Sequence, residues 1–272
     1  MINTSINHMT AANASFAQLL SLANACSCTG IELRNDLSSP LFDGLSAAAA
    51  GDACRARGLQ VYAVAEVVAF NRFTDATLDQ AQSLARQAKD CGAQGIVLIP
   101  ANDGSAPALD ERTAMLTNAL SKLLPVLDKY DLTGFVEPLG FTASTLRYKS
   151  EAIDAIEALD ATERFKLVHD TFHHYLAGET QCYATHTGMV HVSGVVDASL
   201  NSTQMQDNHR VLVDQHDKLG NVKQLKTLTS AGYSGPVSME SFAPQVHDLS
   251  DPVSALQDSF DFINSGLAAA VA

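Results

Sequence analysis

FKLVHD at residues 165–170 and GMVHVS at residues 188–193 are the runs whose reading decides the fold. Both are short and aliphatic, and both end on ionisable groups, in Val168-His169-Asp170-Thr171 and Met189-Val190-His191-Val192. Working outward, runs of the same kind recur as INTSIN (2–7), GIELR (30–34), QVYAVAEV (60–67), GIVLIP (95–100), LTGFVEP (132–138) and GPVSME (235–240), which makes eight. Most are separated by segments with helical periodicity. From Leu78 to Cys91, the residues Leu78, Ala81, Leu84, Ala85, Ala88 and Cys91 share one face, and Thr77 with Gln80 reads as a capping box that opens the helix. From Met115 to Tyr130, Leu116, Ala119, Leu120, Leu123 and Leu127 repeat the pattern, with Pro125 expected to kink it. Gly92 and Gly235 follow helical patterns and suit left-handed exits. Strand and helix alternating eight times predict an α/β fold, the closed parallel (β/α)8 or TIM barrel, as a single domain over residues 1–272. At about 34 residues per unit the length fits. A doubly wound open sheet usually carries a Gly-rich first turn, and GxGxxG is absent.

Composition narrows the partners. The chain is 46% hydrophobic and 17% charged, which suits a sizeable core. Its 30 acidic residues against 17 Lys and Arg give a net charge of −13. With no basic stripe, no nucleic-acid partner is expected, and a cation is the more natural guest. The five cysteines, Cys26, Cys28, Cys54, Cys91 and Cys182, form no CxxC pair and no disulfide framework. They read as small buried hydrophobes in a reducing compartment. The N-terminus lacks a basic region and a clean apolar core, so no signal peptide is expected. No apolar run approaches the roughly 18 residues of a membrane span. The expected location is the cytoplasm, and the apolar C-terminal LAAAVA reads as the end of a last helix.

Barrel enzymes carry their catalytic groups at the C-terminal ends of the strands. The fifth run ends in Phe135-Val136-Glu137-Pro138 and the eighth in Ser238-Met239-Glu240-Ser241. Four successive strands thus deliver Glu137, Asp170, His191 and Glu240 to one half of a closed mouth. Three carboxylates and one imidazole make a hard donor set suited to Mn²⁺, Mg²⁺ or Co²⁺, with Zn²⁺ also in range. Without a cation the carboxylates would raise one another's pKa, whereas a divalent ion keeps them ionised. Alternation turns Asp170 inward and His169 outward. His173, three residues further on, can turn back over the site as a donor to a substrate oxygen, while His169 and His174 read as packing or supporting groups. Ser193 to Gln224 forms a long polar loop with a single arginine, Arg210, placed to hold a substrate oxygen. Phe70, Asn71 and Phe73 are candidates for an apolar pocket wall. GxSxG, the P-loop and HExxH are absent.

The blocks FVEPLGF, VHDTFHH, MVHVSG and VSMESFAP resemble the xylose-isomerase-like sugar isomerase/epimerase superfamily of TIM barrels, and within it the inosose (2-keto-myo-inositol) isomerase branch. The similarity covers nearly the whole chain and includes IELR around Glu32, Phe70-Asn71 and Ile99-Pro100. It implies one divalent metal ion, Mn²⁺ foremost, on Glu137, Asp170, His191 and Glu240, with His173, Arg210 and Phe70 toward the substrate. Three departures stand out. Val213-Asp214-Gln215-His216-Asp217 replaces the Pro-Gly-x-Gly turn frequent after the arginine, Glu66 stands where the family tends to be neutral, and Gly140-Phe141-Thr142-Ala143 lacks the further glutamate of the ketose 3-epimerases.

The activity so implied is an intramolecular oxidoreductase. It moves a carbonyl between adjacent carbons of a polyol ketone, 2-keto-myo-inositol foremost, through an enediolate, with Glu137 and Glu240 as acid and base. The alternatives are a ketose 3-epimerase and an inosose dehydratase. Endonuclease IV shares the barrel, but the acidic charge and the shorter ligand set oppose that reading. Homo-oligomers are frequent among relatives, so self-association is an expectation.

Overall fold

The computed structural model describes residues 2–105 and 107–269. The strands are β1 (Asn3–Asn7), β2 (Gly30–Arg34), β3 (Gln60–Val68), β4 (Gly95–Ile99), β5 (Thr133–Val136), β6 (Phe165–Asp170), β7 (Thr187–Val192) and β8 (Pro236–Met239). They close into a barrel in chain order. Every adjacent pair is parallel, and β8 returns to β1 with Ser5 opposite Ser238. The helices are α1 (Phe16–Ala25), α2 (Ala47–Arg55), α3 (Asp75–Cys91), α4 (Leu109–Tyr130), α5 (Lys149–Ala158), α6 (Thr171–Ala177), α7 (Asn221–Ser230), the four-residue α8 (Pro244–His247) and α9 (Pro252–Ala268). The expected (β/α)8 barrel is therefore the fold.

Side chains two apart on a strand share a face, so each strand feeds two cores. Outward residues such as Ile31, Leu33, Ile96, Leu98, Leu167 and Val190 meet Leu84, Leu120, Leu225 and Phe260 of the helices in one continuous apolar layer. Burying a side chain of this size contributes about 1.5–3 kcal/mol. Inward residues Ala63, Ala65, Val97, Phe135, Val168 and Met189 fill the barrel itself. That inner plug forms an apolar floor, and the next inward position on each strand opens on the C-terminal mouth.

Several local expectations are corrected. Helix α3 begins a turn earlier than predicted: Thr74, not Thr77, is the cap, and its hydroxyl accepts from the Thr77 amide while the Thr77 hydroxyl accepts from the Thr74 amide. A threonine hydroxyl here does what Glu or Gln does in the usual box. Gly92 makes the expected left-handed exit, with φ 77°. Gly235 does not. After α7 the chain turns through left-handed Gly232, and a Cβ at Gly235 would strike the Tyr233 ring. Pro125 lies inside α4 and does not end it, which leaves the expected kink untouched. The long loop ends at Gly220, because α7 begins at Asn221 and makes Gln224 helical. Of the C-terminal LAAAVA, Leu267 and Ala268 close α9, and Ala270–Ala272 lie outside the described residues. All five cysteines are buried and unpaired. Among the described residues no helix is long and apolar enough to cross a membrane.

Candidate metal centre at the barrel mouth

The inward series Phe135 to Glu137, Val168 to Asp170, Met189 to His191 and Ser238 to Glu240 each climb two residues from floor to mouth. Register sets Asp170 opposite His191 and His191 opposite Ser238, so Glu240 stands one inward step further along its strand. One donor atom from each of Glu137, Asp170, His191 and Glu240 lies within 4.8 Å of the other three, and all four residues are buried. Local hydrogen bonds fix the strand ends. The Glu240 amide donates to the Val192 carbonyl, and Thr10 donates to the Met239 carbonyl while accepting from the Ser241 amide. Oδ1 of Asp170 caps α6 by accepting from the His173 amide, which leaves Oδ2 for the centre.

His191 is the hub. Its Nε2 stands 3.1 Å from Oε2 of Glu32, itself fully buried on β2. A carboxylate only accepts, so Nε2 carries the proton and Nδ1 presents a lone pair. Nδ1 lies 3.1 Å from Glu240, 3.5 Å from Glu137 and 3.9 Å from Asp170, and has no hydrogen-bond partner. A bare lone pair facing three carboxylates is repulsive unless a positive charge sits among them. In the apoprotein a proton serves: burial opposes the charged ring, but Glu240, Glu32 and Glu137 push its pKa well above the ordinary histidine value. A divalent cation serves better, because the carboxylate-to-histidine pair is how proteins orient a metal-binding imidazole.

The two glutamates have different surroundings. Glu240 takes Nη1 of Arg34 at 2.8 Å, Nδ2 of Asn7 at 3.0 Å and Nη2 of Arg210 at 2.9 Å. Burial works against its charge, yet His191 and the arginines hold it well below the usual carboxylate range. Glu137 has no guanidinium, and burial pushes its pKa up to about 7 against the opposing pull of His191. Around the His191 ring, the buried carboxylates Glu32, Glu137, Asp170 and Glu240 outnumber the buried Arg34 and Arg210 by two charges. A divalent cation cancels that excess. Donor chemistry, the orphaned Nδ1 and the charge balance all fit one such ion.

Arg210 is almost wholly enclosed, packed over the rings of Phe172 and Phe242. It donates to Ser193, Asp207, Asp170 and Glu240. Its carbonyl accepts from the amides of Phe242 and Ala243, and Gly194 pairs with Val211 beside it. In this state it braces the carboxylates and has little left to offer a substrate oxygen. His173 is buried next to the quartet, edge-on to Phe141 and Phe172, with Nδ1 unpartnered and its pKa lowered chiefly by burial. Gly140 allows this approach, because a Cβ there would collide with the His173 carbonyl. Phe70 is fully buried in the outer apolar core, Phe73 packs against that core, and Asn71 bonds Thr145 and the Ala101 amide. Asn7, Glu32 and Arg34 are site residues that the sequence reading left unassigned. Their signal was present: INTSIN and GIELR also end in polar groups, and Glu32 and Arg34 stand two apart. On the rim, Arg34 also grips Asp36 and stands 3.3 Å from Glu66, whose pKa burial pushes up to about 7.

A closed barrel with a Glu-Asp-His-Glu cluster on four successive strand ends defines a TIM barrel built around a candidate divalent-metal site. The chain belongs to the xylose isomerase-like TIM barrel family, whose model matches residues 20–266. Among solved structures it is similar to a xylose isomerase domain-containing protein from Salmonella typhimurium LT2, with 28% identity, a TM-score of 0.88, and 98% of this chain and 97% of that one covered. It shares the fold of the IolI protein with a bound zinc atom, at 18% identity and TM-score 0.85, with 98% of each chain covered. It also shares the fold of an L-ribulose 3-epimerase, at 16% identity and TM-score 0.75, covering 98% of this chain and 95% of that one. A search of the curated proteins finds no match to the chain.

Proposed function

We propose that the protein is a divalent-metal-dependent isomerase of a polyol ketone, with 2-keto-myo-inositol the leading substrate and Mn²⁺ the leading metal. The single observation that carries this reading is the buried quartet with the lone pair of His191 aimed at three carboxylates. Glu137, Asp170, His191 and Glu240 would hold the ion, with Glu32 orienting His191. Bound there, the ion supplies Lewis-acid chemistry that stabilises negative charge developing on a substrate carbonyl oxygen.

The rest falls to the chain. Glu137 and Glu240 face one another across His191 and act as a proton-transfer pair. One takes the proton from the hydroxyl-bearing carbon beside the carbonyl to give the enediolate, the other returns a proton to the former carbonyl carbon, and the hydroxyl proton passes to the former carbonyl oxygen. Glu137, without a guanidinium partner, is the freer to accept a proton. Arg34, Arg210 and Asn7 keep Glu240 ionised and fixed. His173 stands beside the site with an unpartnered ring nitrogen suited to a substrate hydroxyl. The apolar floor of Phe135, Val168 and Met189 excludes water from below.

Proton washout tests the reading. Metal-loaded protein is incubated in D₂O with a panel of keto-inositols and ketoses, and the products are resolved by NMR. The expected result is deuterium at the carbon next to the carbonyl, with the carbonyl moved by one position. Deuterated epimer without carbonyl migration assigns a 3-epimerase instead, and a conjugated enone assigns a dehydratase. No exchange with any member of the panel removes the isomerase reading.

A further inference from the structure

Strand β6 sends Asp170 into the barrel and His169 out of it, and the outward side ends in a second buried cluster that the mouth does not use. His169 is fully buried, with Nε2 2.9 Å from Oε1 of Gln224. The amide nitrogen of Gln224 donates to the carbonyls of Thr171 and Leu219, so Oε1 is an acceptor and Nε2 of His169 carries the proton. Nδ1 is then a lone pair, buried and without a partner. The Cys182 carbonyl faces the same ring, but an acceptor cannot satisfy a lone pair. Such an orphan destabilises the fold unless it gains a partner. Nearby, Nε2 of His174 lies 4.0 Å from Sγ of Cys182. One donor atom from each of His169, His174 and Cys182 lies within 4.8 Å of the other two.

We infer that His169, His174 and Cys182 form a second metal site, built for zinc, behind β6 and separate from the centre at the mouth. Two imidazoles and a thiolate are the donors of a borderline-soft ion, unlike the oxygen-rich quartet. Tetrahedral zinc with bonds of about 2.0–2.3 Å sets its donor atoms roughly 3.3–3.8 Å apart, so the side chains draw in by about 1 Å or less. Gln224 fixes the tautomer of His169. Lys149 lies 2.6 Å from Nδ1 of His174, with Glu179 3.1 Å beyond it. The Lys149 ammonium donates to Nδ1, so metal on Nε2 of His174 would draw a Lys149 proton onto Nδ1 and release the Nε2 proton. Cys182 also lines a surface groove of about 550 Å³ with Thr180, His186 and Thr227. The bound ion would pin the segment between α6 and β7 against β6.

Cobalt is the probe. The full chain is stripped of metal, kept reduced with a phosphine and titrated with Co²⁺. The quartet contains no sulfur, so a thiolate-to-cobalt charge-transfer band in the near ultraviolet, with intense four-coordinate visible absorption, reports the second site alone. The expected result is that this band forms in the wild type and is displaced by Zn²⁺. It is lost in Cys182→Ser, and in His174→Gln it needs about tenfold or more cobalt. Circular dichroism checks that both variants are folded. No sulfur band in the wild type at saturating cobalt overturns the site, as does a band that survives Cys182→Ser. The wild-type spectrum decides even where a variant fails to fold.

Discussion

Glu137 and Glu240 are both glutamates at the ends of barrel strands, both buried, and both within reach of Nδ1 of His191. One has two guanidiniums and an asparagine amide on it, and the other has neither. Burial drives the first-named acid toward neutrality, and the arginines hold the second ionised. The difference teaches that side-chain identity sets what a residue can do, while its neighbours choose which of those things it does. A pair of like carboxylates in unlike surroundings is what proton relay between adjacent carbons requires.

The largest expected effect tests what the two residues share. Glu137→Gln and Glu240→Gln should each slow solvent exchange on the best keto-polyol by about 10²–10⁴-fold, followed by NMR in D₂O. An unaffected rate in either variant removes that glutamate from the acid–base pair. Next comes what divides them. In metal-free protein, Glu240→Gln removes the carboxylate shared by Arg34 and Arg210, which keep Asp36 and Asp170 as partners, and should lower the urea-unfolding free energy by about 1–3 kcal/mol. Glu137→Gln should stay within about 1 kcal/mol of wild type, since an amide replaces a carboxyl whose charge is already disfavoured. Equal losses would erase the contrast.

A smaller effect concerns the hub between them. Glu32→Gln keeps a hydrogen-bond acceptor for His191 but removes its charge, and should weaken Mn²⁺ binding by calorimetry about 10–100-fold. Unchanged affinity would mean that His191 does not bind metal through Nδ1. The smallest effect lies on the Glu240 side of the rim. Glu66 is raised from 4.5 to about 7 in the folded protein. Between those values the native state holds a proton that the unfolded chain releases, so the contribution of Glu66 to stability falls as pH rises from about 4.5 to about 7. Glu66→Gln should therefore gain stability relative to wild type across that window, by urea midpoint. A difference that is flat with pH contradicts the burial of its charge.

Much of this was legible in the chain. Eight aliphatic runs with helical spacers gave the barrel, because buried parallel strands must be apolar on both faces. The quartet followed from asking what ends the last four strands, and alternation placed Asp170 inside and His169 outside. The same question put to the first two strands would have reached Asn7 and Arg34, and alternation from Arg34 reaches Glu32. Arg210 was visible as the lone arginine of its loop, but apart from Asp207 its partners are 17 to 40 residues away, beyond any local pattern. Thr74 was missed as a cap because the threonine at the third helical position stands in for the expected Glu or Gln. Gly235 was misread because close packing on Tyr233, rather than a left-handed turn, requires a glycine there.

The backbone of Arg210 is stitched to the exit of β8 while its side chain braces Asp170 and Glu240. The segment from Ser193 to Gly220 is therefore no detachable module. Grafting a relative's version onto this scaffold, as protein engineers do to exchange specificity, would disturb the ligand cage together with the pocket. A successful chimera would need to carry the β8 exit across with the loop.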